Sequence, residues 1–135
     1  MGDKFFFWID WFKAKDSTER QRLKLKDQLS DIVTSALKQV LAKYAGKKPD
    51  IFYHTFFGAM ELDPKNLSIW FFFPKIKDLK EAESNGRTEE LRKLTLAELE
   101  AAKYPAEALP SIYISFDSDE TVQNEADGNY FQYLK

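Results

Sequence analysis

LSIWFFF, residues 67–73, is an unbroken run of β-branched and aromatic residues with a turn signal before it and Pro74 after it. Side chains of this kind fit the pleated, half-buried surface of a sheet, so the run reads as a strand. Residues 51–57, IFYHTFF, repeat the chemistry and read as a second strand. Between them Asp63-Pro64-Lys65-Asn66 places Asp at the first and Pro at the second position of a type I turn, which makes a hairpin the simplest connection. On a period of two, Leu67, Ile69, Phe71 and Phe73 share one face, and Trp70 and Phe72 share the other. Both faces are apolar. That pattern fits central strands covered on both sides, or a sheet with one face open to a partner, and the first arrangement is the commoner.

N-terminal to the hairpin the period changes to that of a helix. Leu25, Leu29, Ile32, Val33, Ala36, Leu37, Val40, Leu41 and Tyr44 recur at three- and four-residue steps, with Lys and Asp mainly between them. Asp16-Ser17-Thr18-Glu19 has the form of a capping box, Gly46 suits the left-handed residue after a helix, and Pro49 blocks continuation. The spacing predicts a long helix over roughly 19–45, about 40 Å at 1.5 Å per residue, and any overhang beyond the sheet favours dimerisation. Before it, Phe5 to Phe12 is apolar except for Asp10, too short to span a bilayer, and reads as a separate short helix. Core packing is its first interpretation, a partner groove the second and an interfacial anchor the third, since Lys4, Lys13 and Lys15 flank it.

C-terminal to the hairpin, Ile76 and Leu79 suit a short helix that Ser84-Asn85-Gly86 interrupts. Thr88 can cap a helix carrying Leu91 and Leu94, and Thr95-Leu96-Ala97-Glu98 reads as a further capping box before Pro105 ends the helical region. Two more strands follow, at 111–116 and, after the Asp127-Gly128 turn, at 129–134, with a short helix or turn at 119–125 between them. The expected fold is one α+β domain over residues 1–135, a mainly antiparallel four-stranded sheet with helices packed on one face and a long N-terminal helix.

Composition narrows the chemistry. The chain has no Cys and one His, which removes thiol chemistry, disulfides, zinc sites built on Cys or His pairs, and Ser-His catalysis. His54, inside a strand and flanked by aromatics, reads as a packed or hydrogen-bonded histidine. Asp117-x-Asp119-Glu120 resembles a cation loop only superficially, because Thr121, Val122 and Gly128 stand where an EF-hand needs a ligand, glycine and glutamate. No glycine-rich phosphate loop is present, and no catalytic residue, metal ligand or cofactor is expected. Phe6 occupies the position where a myristoylation signal wants Ser or Thr, and nothing near the N terminus resembles a secretory leader, so a cytoplasmic address is expected.

Charge is unevenly distributed. Residues 1–48 carry eleven Lys or Arg against six acids, net +5, whereas residues 104–135 carry one Lys against six acids, net −5. Arg20, Arg22, Lys24 and Lys26 are the most basic stretch, but on a helix they divide into two pairs about 200° apart. The chain as a whole is net −2, which argues against nucleic-acid binding.

The run Phe116-Asp117-Ser118-Asp119-Glu120-Thr121-Val122-Gln123 and the ending Gly128-Asn129-Tyr130-Phe131-Gln132-Tyr133-Leu134-Lys135 resemble the ending of small bacterial immunity-type proteins encoded beside secreted polymorphic toxins. The resemblance covers about 25 residues. It implies a non-catalytic, acidic α+β protein that binds a basic toxin domain in the cytosol. The expected partner-binding residues are Asp117, Asp119, Glu120, Glu125 and Asp127, which steer and hold the partner, with Tyr130 and Tyr133 as anchors. A small-ligand or lipid-binding module with an aromatic-lined pocket is the alternative.

Overall fold

A computed structural model describes residues 2–135, with side chains from Ser17 onward. The chain forms α1 (Gly2–Tyr44), β1 (Tyr53–Phe57), β2 (Ser68–Phe73), α2 (Ile76–Ser84), α3 (Arg87–Ala101), β3 (Tyr113–Ser118), α4 (Asp119–Ala126) and α5 (Tyr130–Tyr133). Short 3-10 turns at Pro64–Asn66 and Ala106–Ser111 precede β2 and β3. The turn forms as its chemistry requires: the Asp63 side chain accepts from the Lys65 N–H, and Pro64 follows Asp63 as the first residue of the 3-10 turn, the second position of the β-turn.

The sheet is three-stranded and mixed, in the order β1-β2-β3. β1 pairs antiparallel with β2, and β3 pairs parallel to β2 on its other side. This corrects the expected four-stranded, mainly antiparallel sheet in two respects. A parallel neighbour needs a crossover, and α2 and α3 supply it between β2 and β3. The expected fourth strand, 129–134, is instead the helical turn α5, whose first N–H groups Asn129 caps through its side chain to Gln132 N.

Register fixes the two faces. His54, Phe56, Ile69, Phe71, Phe73, Ile114, Phe116 and Ser118 lie on one, hereafter the core face. Ile69, Phe71 and Phe73 are fully buried there, with Phe71 and Phe73 stacked on Phe116. Leu29, Val33, Ala36, Leu37, Val40 and Tyr44 of α1 complete the core with Ala82 of α2 and Leu91 and Leu99 of α3. Each large side chain so buried contributes roughly 1.5–3 kcal/mol.

α1 begins at Gly2, so Asp16–Glu19 lies within a continuous helix and does not cap one, and residues 5–12 are not a separate helix. Whether the Phe5 to Phe12 side chains are buried lies outside the described residues. From Ser17 to Gln28 every side chain is exposed, Leu23 and Leu25 included, and Leu29 is the first buried one among the described side chains. The end of α1 follows expectation, with Gly46 at φ 85°.

α2 also ends where expected, with Gly86 at φ 82°. Gly86, not Thr88, is the N-cap of α3, and the Asn85 side chain accepts from the Arg87 N–H. α3 then runs unbroken through the second expected start. Thr95 is buried in mid-helix and its hydroxyl donates to the Leu91 carbonyl, so packing overrides the local capping signal. Ion pairs join α3 to the end of α1 and the residues after it: Lys43 with the mostly buried Glu98, and Lys47 with Glu90, which Arg87 also contacts. Hydrogen bonds from Lys47 and Arg87 hold the Glu90 carboxyl below its usual pKa.

Candidate interaction surface

The second face of the sheet carries Tyr53, Thr55 and Phe57 from β1, Ser68, Trp70 and Phe72 from β2, and Tyr113, Ser115 and Asp117 from β3. It is built of the same alternation that makes the core, yet the helices α1 to α3 lie on the core face. Cover comes from α5 at one end. The Tyr130 ring packs 4.6 Å from Tyr53 and meets Phe72 edge-on at 4.8 Å, which leaves Phe72 fully buried. Such edge-to-face pairs add about 0.5–1.5 kcal/mol each beyond the area they bury.

Hydrogen bonds to the start of α4 and the end of β3 clamp α5 in place. Tyr130 donates to Asp119 and Tyr133 donates to Asp117. The i, i+3 spacing of the two tyrosines puts both hydroxyls on one side of the helical turn, facing two carboxylates that are themselves two residues apart. Burial, then donation to the carboxylate, raises the pKa of both tyrosines.

Beyond this clip the face is open. Tyr53 is 41% exposed, Phe57 42%, Tyr113 55% and Phe131 80%. Trp70 stacks on Phe72 at 6.0 Å with Tyr113 edge-on at 5.9 Å, and its indole N–H finds no acceptor among the described residues. A groove of about 410 Å³ runs beside α5, lined by Tyr53, Thr55, Phe56, Phe57, Tyr130, Phe131, Leu134 and Lys135.

The acidic residues expected to meet a partner divide into two groups. Asp117 and Asp119 are tied to the tyrosines, and Asp117 also accepts from the Ser118 N–H. Glu120 accepts from the Ile76 N–H at the start of α2. These three act first inside the protein. Glu125 and Asp127 are exposed near α5, and Asp127 ends α4 in the left-handed conformation at φ 50°. Tyr130 and Tyr133 are brought together with Asp117 and Asp119 as a positioning unit, while Phe131, between the two tyrosines, points to solvent.

The commoner reading of the hairpin, with both faces covered, would have buried Tyr53 and Phe57, and the sequence did not single out Tyr113. Their signal was the doubly apolar pattern of the hairpin, which also fits a sheet with one open face. His54 lies on the core face, and burial lowers its pKa. No group of three His, Cys, Asp or Glu side chains able to hold a metal ion occurs among the described residues. No helix among them is long and apolar enough to cross a membrane. No family model, curated protein or solved structure matches the chain.

Proposed function

We propose that the chain is a non-catalytic protein-binding domain, in its most concrete form an immunity-type inhibitor that holds a basic toxin domain in the cytoplasm. The observation that carries this reading is the open face of the sheet, where Tyr53, Phe57 and Tyr113 present exposed rings, with Phe131 exposed on α5 and the carboxylates of Glu125 and Asp127 exposed in the segment just before it. Exposed apolar rings bordered by charge are the composition of a binding surface: aromatic anchors supply affinity, and rim charges supply steering and orientation. The acidic rim is smaller than the C-terminal sequence suggests, because Asp117, Asp119 and Glu120 already have partners within the fold.

Co-expression with the product of the adjacent gene tests the reading. A stable complex is expected that Phe131→Ala weakens by at least about tenfold, since a central aromatic anchor contributes about 2 kcal/mol or more. Glu125→Lys should mainly slow association, with an effect that salt erases. Absence of any complex, or a complex indifferent to both changes, contradicts it. The 410 Å³ groove favours a second reading, a small-ligand or lipid-binding module. Native mass spectrometry would support that reading by detecting a co-purified small molecule that Phe57→Glu removes.

A further inference from the structure

The two edges of the sheet are finished differently. β3 closes one side, where Arg92 of α3 donates to the outward carbonyl of Ile114 at 3.3 Å and lies over the Phe116 ring at 5.3 Å. A cation fixed across an edge strand discourages a further strand from adding. β1 closes the other side with Tyr53-His54-Thr55-Phe56-Phe57, which contains no charged residue and no proline. The Tyr113 N–H donates to the Leu67 carbonyl, so Leu67 and every second residue after it turn their main-chain groups to β3, and the residues between turn theirs to β1. The register then sets Tyr53, Thr55 and Phe57 against β2 and points the N–H and C=O groups of His54 and Phe56 away from the sheet. Those outward groups have no hydrogen-bond partner among the described residues.

We propose that β1 pairs antiparallel with β1 of a second copy about a two-fold axis at Thr55, joining two three-stranded sheets into one of six strands. The outward groups select this register, because His54 of each copy exchanges both main-chain hydrogen bonds with Phe56 of the other. Thr55 then meets Thr55 of the second copy and Tyr53 meets Phe57 of the second copy, as non-hydrogen-bonded pairs about 4.5 Å apart at Cα. All of these lie on the open side of the sheet, and paired rings and paired threonines are favourable cross-strand neighbours. The edge is thus complementary to itself, which selects a second copy over an unrelated chain. Area agrees with this occupant. Phe52, Tyr53 and Phe57 are exposed around the edge, roughly 300 Å² per copy at about 200 Å² for a whole ring. The strand backbones and the groove wall at Phe131 and Leu134 bring the contact towards about 600 Å² per copy, the lower end of specific interfaces, which suits a micromolar dimer. Both copies use the same edge, so the pairing closes at two, and the guarded β3 edges end the joined sheet.

Sedimentation equilibrium and residue-resolved hydrogen exchange of the full chain test the pairing. The wild-type chain should dimerise in the micromolar range. On assembly, exchange at the His54 and Phe56 amides should slow at least about tenfold, while the Thr55 amide, which faces β2, stays slow at every concentration. Thr55→Glu and Thr55→Lys each set like charges face to face at the two-fold axis, and each should weaken the dimer at least about tenfold. An equimolar mixture of the two variants should recover the affinity, and less of it as salt rises. A chain still monomeric at about 100 μM overturns the proposal. So does a dimer that keeps its affinity in both variants, a mixture no tighter than its components, or exchange at His54 and Phe56 that does not depend on concentration. A monomer that captures the co-expressed partner through Phe131 overturns the pairing and leaves the protein-binding reading standing.

Discussion

Gly58, just after β1, has φ 128°, and a Cβ built there would lie 2.0 Å from the Asn66 carbonyl oxygen. Both the backbone angle and the contact exclude a side chain at this close approach of the hairpin's two ends. Gly58→Ala should cost at least about 2 kcal/mol, read as a lower denaturant midpoint at unchanged slope. His54 and the tyrosines make opposite pH predictions. Burial lowers the His54 pKa from 6.5, so below that pH the unfolded chain takes up a proton that the folded chain resists. Stability should fall as pH drops below about 6.5, and His54→Phe should flatten that slope in thermal melts. Burial raises the pKa of Tyr44, Tyr104, Tyr130 and Tyr133, with Tyr104 pushed up to about 12. Their stabilising effect is complete below pH 10 and is lost as pH rises beyond it. A tyrosinate titration of the folded chain should lag behind that of the chain in denaturant.

At the scale of elements, β2 organises the molecule because it pairs on both edges and buries Ile69, Phe71 and Phe73 on its core face. Phe71→Ala should destabilise by about 3–5 kcal/mol, measured by chemical unfolding, since its cavity lies beneath Phe116 at the centre of the core. The α5 clip rests on two side-chain hydrogen bonds and one ring cluster. Tyr133→Phe should cost about 1 kcal/mol and speed hydrogen exchange over 130–135, leaving β2 unaffected.

The elements most legible in sequence were those whose local chemistry agreed with their tertiary setting: the hairpin turn at Asp63-Pro64, the end of α1 at Gly46, and α4, which Ser118 caps through its hydroxyl to the Thr121 N–H. Two misreadings share a cause. Thr95-x-x-Glu98 and Asp16-x-x-Glu19 carry the residues of a capping box, but a longer helix runs through both. At 129–134, alternating aromatics suggested a strand, whereas Asn129 was an equally good helix cap and the tyrosine spacing fitted two carboxylates that come close only in the fold.

For the whole molecule, the aromatic residues, 12 Phe, 6 Tyr and 3 Trp in the sequence, show a division of labour among those described. Phe71, Phe73 and Phe116 fill the core, Phe72 and Tyr130 hold the clip, and Tyr53, Phe57, Tyr113 and Phe131 form the exposed face. The acidic C-terminal region was legible as a surface in outline only. Three of its carboxylates proved to have internal partners, because sequence gives the number of charges and not what faces them. The open face was visible as an ambiguity: a doubly apolar strand pattern cannot say whether helices cover one side or two. The central claim is that this face is covered by another protein chain when the molecule works. Hydroxyl-radical labelling of the chain, compared between the chain alone and the chain with its co-expressed partner, reads that cover directly. Labelling of Phe57, Tyr113 and Phe131 should fall several-fold on assembly, with Leu62 unchanged on the loop between β1 and β2. Unchanged labelling at the three rings, with protection appearing at Leu62 instead, would contradict the account.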